Sequence, residues 1–140
     1  MSDPLYKPAL LRLAADATGA GRLAVPCATA TAFNPACGDK VTVDVAIDEG
    51  RISAIAHDTK ACVLTQASAA ILGGEIAGLT RQEVAELHKA VGEMLAGADV
   101  PKAPFDAYRA FDGVIDHRNR HRCVLLPIEA ILSALDTLLP

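Results

Sequence analysis

The residues of this sequence best suited to chemistry are its four cysteines, Cys27, Cys37, Cys62 and Cys123. An ionised thiol is both a nucleophile and a soft metal ligand. Cys37 sits in Asn34-Pro35-Ala36-Cys37-Gly38-Asp39, where proline and glycine bend the chain. That places a thiolate and the Asp39 carboxylate in one tight loop, able to face one ion. Cys62 stands where a strand pattern stops and a helical pattern starts, and Cys123 stands at the start of the last helical pattern. The free N–H groups and dipole of a helix N-terminus favour a thiolate, so both thiols are expected to ionise more easily than usual. Three thiolates and a carboxylate would make a tetrahedral zinc or iron–sulfur site. Spacing alone leaves the other reading open: no CxxC pair occurs, the gaps are 25 and 61 residues, and free cysteine commonly just packs. Cys27 lies in an alternating stretch and reads as packing.

The elements that must position these residues are legible from periodicity. Residues 4–18 read as a helix, capped by Asp3, with Pro4 at its first position and Gly19-Ala20-Gly21 as its stop. A strand is expected over Val25–Phe33. Residues 40–48 alternate, with Val41, Val43, Val45 and Ile47 on one face and Thr42, Asp44 and Asp48 on the other. Asp48-Glu49-Gly50 is a turn signal, and 51–58 returns as a second strand of a hairpin with one buried face. Residues 62–73 read as a helix stopped by Gly73 and Gly74. Thr80 with Glu83 forms a capping box, and the helix it starts ends at Gly97. Phe105–Phe111 reads as a short helix and Asp112–Arg122 as a polar loop. The last helix begins near Cys123, with Pro127 in its first turn. The order gives an α+β fold: a small antiparallel three-stranded sheet packed against several helices.

The chain has 140 residues, enough for one domain with a sizeable core, 1–140, comprising an N-terminal helix and linker over 1–21 and a core over 25–138. Its net charge of −4 argues against a partner bound through bulk positive charge, so no nucleic acid is expected. No apolar run approaches the roughly 20 residues that span a bilayer, and the first residues lack a signal-peptide pattern. A soluble, cytoplasmic protein that does not bind membranes is expected, with its cysteines reduced unless they bind metal or do chemistry.

Three strings together resemble one family. Asn34-Pro35-Ala36-Cys37-Gly38-Asp39 before a hairpin is similar to the first cysteine motif of the NifU/IscU-type iron–sulfur cluster scaffolds. Ala61-Cys62 followed by Gln66-Ala67-Ser68-Ala69 resembles the second motif, and Arg122-Cys123 followed by Val124-Leu125-Leu126 and Glu129-Ala130 the third. The match covers about residues 25 to 136, with the motifs in the family's order. The sequence departs from the pattern where Ala61 replaces the glycine of many members. Arg122 takes the place of a histidine, and no LPPVK-like chaperone-recognition segment is present. With the extra residues between 98 and 115, this looks more like the SufU-type branch, whose members bind zinc tightly and accept sulfur from a cysteine desulfurase.

The resemblance implies that Cys37, Asp39, Cys62 and Cys123 converge at one exposed end to hold a [2Fe–2S] cluster or Zn2+, with Asp39 as the weak, exchangeable corner. It implies a cysteine desulfurase as sulfur donor, apo iron–sulfur proteins as acceptors, and a monomer or weak homodimer. Cys37 and Cys123 are the candidate persulfide acceptors, with Cys37 favoured because its glycine-containing loop is free to lift. A zinc-bound sulfurtransferase partner that never holds a cluster is the alternative within the family. A structural zinc-binding interaction domain is the alternative outside it. No Ser/His/Asp set, phosphate loop or paired-carboxylate motif supports an enzyme acting alone. His121, two residues before Cys123, is a lesser candidate ligand. His57 reads as structural, and His88 and His117 as solvated. Of Arg118, Arg120 and Arg122, the last is expected to act on the neighbouring thiolate.

Overall fold

The structure, a computed structural model, describes residues 6–138. Asp3, Pro4 and Leu5, and with them the expected start of the first helix, lie outside the described residues. Helix α1 spans Pro8–Asp16, with Pro8 in its first turn, where a missing N–H costs nothing. It ends at Ala17, whose N–H still reaches the Leu13 carbonyl and whose left-handed φ of 46° turns the following chain out of the helix. Gly19-Ala20-Gly21 is therefore not the stop. That run lies alongside an edge strand: Gly21 donates to the His57 carbonyl (2.8 Å) and His57 to the Gly19 carbonyl (3.0 Å).

Strands β1 (Ala28–Asn34), β2 (Asp39–Asp48) and β3 (Arg51–Lys60) form an antiparallel sheet in the order β1-β2-β3. β1 starts later than the alternation predicts, at Ala28, and Val25 before it is exposed. Glu49 and Gly50 join β2 to β3 with φ of 52° and 78°, the paired positive angles whose twist suits a two-residue hairpin. Val41, Val43 and Val45 are buried on the inner face. Asp44, on the face expected to be open and polar, is fully buried as well. It accepts hydrogen bonds from Arg22 Nε (2.6 Å) and Nη2 (3.1 Å), the Leu23 N–H (3.0 Å) and Thr29 Oγ1 (2.6 Å). Chiefly the Arg22 guanidinium holds its carboxyl down to about 2, against the opposing effect of burial.

Helix α2 (Val63–Glu75) runs straight through Gly73 and Gly74. These glycines do not stop it, because Gly73 is there for closeness rather than for conformation. A Cβ at that position would lie 2.1 Å from the Thr18 carbonyl oxygen. Helix α3 (Arg81–Leu95) begins with the reciprocal cap of Thr80 and Glu83. The segment Phe105–Val114 is a 3-10 helix, longer than such helices usually run. Phe105, Tyr108, Phe111 and Val114 are all buried and recur every third residue, so three residues per turn align them on one stripe. The expected polar loop thus shrinks to a short connection with one 3-10 turn, Arg118–Arg120.

Helix α4 (His121–Asp136) starts before Cys123, so Pro127 falls in its second turn. Proline has no N–H to give the carbonyl four residues back, that of Cys123. The Thr65 hydroxyl, 3.0 Å away, is placed to donate to it instead. α4 packs across β1 and β2, with α2 and α3 against it. The buried alanines 67, 69 and 70 let α2 approach closely. Leu10, Leu64, Val84, Met94, Tyr108, Phe111 and Ile131 join one hydrophobic core. No helix among the described residues is long and apolar enough to cross a membrane.

Candidate metal centre

Cys37 occupies the tip of the β1–β2 hairpin. Asn34 pairs with Asp39 across the strands, and the four residues between them form the loop. The Asn34 carbonyl accepts the N–H of Cys37 (3.2 Å) and of Gly38 (2.8 Å), and its side-chain oxygen accepts that of Ala36 (3.3 Å). Gly38 closes the loop with φ of 74°, a conformation that suits glycine. The thiol is left exposed.

Asp39 begins β2 and points inward, 2% exposed. Its Oδ1 accepts the Cys62 N–H at the start of α2 (3.1 Å), and its Oδ2 accepts the Thr65 hydroxyl (2.9 Å) and the Cys62 thiol (3.4 Å). Cys62 is the N-cap of α2 and half-buried, so the carboxylate ties the hairpin to that helix end.

Cys123, in the first turn of α4, is fully buried, and its thiol lies 3.8 Å from Cys37 Sγ. Burial pushes its pKa far up, and the neighbouring Cys62, Asp39 and Cys37 add to the shift. This reverses the expectation that the helix N-terminus would ease its ionisation: removing a thiolate from water outweighs the dipole here. Ligand atoms of Cys37, Asp39 and Cys123 all lie within 4.8 Å of one another. Cys62 touches Asp39 but is not within that distance of all three.

The donor chemistry fits a borderline-soft metal. A tetrahedral zinc with about 2.3 Å bonds to sulfur and about 2.0 Å to oxygen sets sulfur–sulfur edges of about 3.8 Å and sulfur–oxygen edges of about 3.5 Å. The Cys37–Cys123 distance of 3.8 Å and the Cys62–Asp39 distance of 3.4 Å match two such edges.

Other expected residues fall elsewhere. His121 turns its Nε2 to the carbonyls of Val114 (3.1 Å) and Ile115 (3.0 Å), away from the thiols. Arg122 extends toward Glu129 (3.7 Å) and is more than half exposed. Arg120 is the arginine within electrostatic reach of the thiols: its pKa is raised by Tyr6 first, against burial, and then by Cys123, Cys37 and Cys62. Spacing contained the signal: a residue three before Cys123 shares its helical face, whereas an adjacent one does not. Cys27 does not pack. It is exposed, and its sulfur accepts the Ile47 N–H (3.3 Å) beside the bulge between Ala46 and Ile47. His57 is buried between the Thr18 carbonyl and Thr59 Oγ1, both 2.9 Å away, as a structural residue. His88 pairs with Glu129 (3.2 Å) instead of facing solvent alone.

A hairpin tip and two helix starts that present thiols and a carboxylate at one end of a three-stranded α+β fold define a class of small thiol-bearing domains. The profile of the NifU-like N-terminal domain matches residues 5–123, and the chain belongs to that family. It is similar to the iron–sulfur cluster assembly scaffold protein IscU of Streptococcus pyogenes serotype M1, with 27% identity over 103 residues. That match takes in 73% of this chain and 65% of the relative, so the chain spans just under two thirds of that protein's length. The IscU scaffold of Thermotoga maritima is 22% identical over 131 residues, 94% of this chain and 92% of the relative. Among solved structures, a NifU-like protein (N-terminal) from Brucella abortus superposes with a TM-score of 0.90 at 31% identity, covering 96% and 94% of the two chains. FiSufU, a candidate SUF-system scaffold from Fervidobacterium islandicum AW-1, has the same fold, with a TM-score of 0.86 at 24% identity and 96% and 99% coverage.

Proposed function

We propose that this chain is an iron–sulfur cluster assembly scaffold of the SufU type, with Cys37, Asp39, Cys62 and Cys123 as its ligands. The observation that carries the reading is the cluster of Cys37, Asp39 and Cys123, whose ligand atoms lie within 4.8 Å of one another, with Cys62 against Asp39 beside it. Bound zinc would supply the positive charge that keeps the thiols ionised, and a [2Fe–2S] cluster would be the cargo. A cysteine desulfurase on another chain donates sulfur, and apo iron–sulfur proteins receive the product.

The residues divide this work by exposure. Cys37, exposed on its hairpin, is the thiol a donor reaches. Its thiolate attacks the terminal sulfur of the donor's persulfide, a new S–S bond forms, the old one breaks, and the donor's thiolate leaves. Cys123 and Cys62, on helix starts, hold position, and Arg120 offsets the negative charge of the thiolates. Asp39, a harder ligand than the three sulfurs, is the corner that gives way first.

The test is anaerobic purification with metal analysis, followed by incubation with a cysteine desulfurase, free cysteine and iron. Visible thiolate-to-iron bands support the scaffold. Stoichiometric zinc with a persulfide and no bands would support a sulfur relay instead. Alanine at Cys37, Cys62 or Cys123 is expected to abolish stoichiometric metal, and alanine at Cys27 to leave it intact. Full metal retention in Cys62→Ala would remove the shared site.

A further inference from the structure

Thr65 is fully buried in the first turn of α2, against the site. Its hydroxyl oxygen lies 2.9 Å from Asp39 Oδ2 and 3.0 Å from the Cys123 carbonyl, with Cys62 Sγ at 3.5 Å. A hydroxyl has one proton to donate, so the two oxygens compete for it. The Cys123 carbonyl has an unusual need of it, because Pro127 stands where its helical donor would be. The proline in α4 thus creates the acceptor that competes with the candidate ligand.

We infer that Thr65 is the positioning residue of the carboxylate corner. With its O–H turned to Asp39 Oδ2 the hydroxyl aims the carboxylate; with its O–H turned to the Cys123 carbonyl it lets the carboxylate go. Rotation of the Thr65 O–H about its C–O bond, with its proton staying on Oγ1, gives the site a held and a released arrangement. This rests on the metal-site reading above and adds to it a residue that touches no ion.

Two measurements test it: zinc affinity by competition with a chromogenic chelator, and the urea midpoint of the zinc-free protein. Thr65→Val keeps the shape and removes the proton. It is expected to weaken zinc binding about tenfold, as loss of a ligand's hydrogen-bond partner does, and to lower the midpoint by leaving the Cys123 carbonyl without a donor. Thr65→Ser is expected to restore both. Pro127→Ala supplies that carbonyl with a backbone N–H. Combining Thr65→Val with Pro127→Ala is therefore expected to recover the midpoint while zinc binding stays about tenfold weaker than in Pro127→Ala alone. A purely structural Thr65 predicts recovery of both, and zinc binding in the double variant equal to that of Pro127→Ala would overturn the inference. Failure of the parent protein to bind zinc would remove the metal-site reading and this inference together. Zinc binding lost in Cys62→Ala but unchanged in Thr65→Val would remove this inference only.

Discussion

Gly73→Ala and Gly74→Ala, two neighbouring substitutions in one helix, are expected to act in opposite directions. Replacing a helical glycine by alanine stabilises by about 1 kcal/mol when nothing else changes. At Gly74 the new Cβ meets, among the described residues, the flexible Thr18 Cγ2 at an ordinary 3.6 Å, so the gain stands. At Gly73 the Cβ meets the Thr18 carbonyl oxygen at 2.1 Å, its carbon at 2.9 Å and Gly19 Cα at 3.0 Å. Ordinary contact begins near 3.4 Å, so that backbone must retreat by more than 1 Å. The same carbonyl accepts the hydrogen bond of the buried His57 Nε2 at 2.9 Å, and the retreat breaks it. Overpacking costs about 1–3 kcal/mol, and an orphaned buried polar group about 1–3 kcal/mol. Set against the propensity gain, Gly73→Ala is expected to destabilise by about 1–5 kcal/mol. Urea unfolding of the three proteins under one set of conditions reads both effects. If Gly73→Ala is as stable as Gly74→Ala, the close approach of α1 and α2 is not what holds that glycine in place.

The Asp44 carboxyl titrates at about 2 when folded against an ordinary value of 3.8, so it stabilises above that ordinary value and ceases to do so as pH falls through about 2. Asp44→Asn is expected to cost about 2 kcal/mol at neutral pH and to flatten the acid limb of the stability curve, read as urea midpoints against pH; an unchanged limb would contradict the assignment. Asp39→Ala is expected to hold a reconstituted cluster longer than the parent, because the exchangeable corner is gone; faster bleaching of its visible bands would count against that role. Peptide mass mapping after treatment with a desulfurase and cysteine, without reductant, is expected to find the added sulfur on Cys37, and sulfur confined to Cys123 would reverse the assignment of the acceptor.

The hairpin, the cap at Thr80 and the loop carrying Cys37 and Asp39 were readable because their causes are local. Alternation sets the strand faces, Glu49-Gly50 sets the turn, and Pro35 with Gly38 bends the loop. Gly73 misled because a glycine needed for closeness looks like one needed for a stop, and only the position of Thr18 separates them. Asp44 read as solvent-facing because the donors that cover it come from Arg22, Leu23 and Thr29, far from β2 in sequence. The three-residue recurrence of Phe105, Tyr108, Phe111 and Val114 was visible in the letters, yet a short helix of either kind would have used them. At the site, the loop and the two helix starts were placed by local rules. Burial of Cys123 was not, because it depends on α4 lying against the sheet. The choice of Arg120 over Arg122 depended on α4 beginning before the cysteine.

Two hydroxyls on the same side of α2, Thr65 and Ser68, reach the carbonyls of Cys123 and Val124, and the Tyr108 hydroxyl donates to Ser68 at 2.8 Å. These bonds rivet α2 to α4, and Asp39 ties the base of the hairpin to α2, while Cys37 stays exposed at the hairpin tip. Asp39 and Cys123 are buried and Cys37 is exposed, so the centre opens on the hairpin side, and everything that enters or leaves passes the same lip. On the scaffold reading, a sulfur donor and a cluster acceptor need that lip at different moments and exclude one another from it. Sequential delivery and removal then follow from the architecture of a single doorway, without a separate signal to order them.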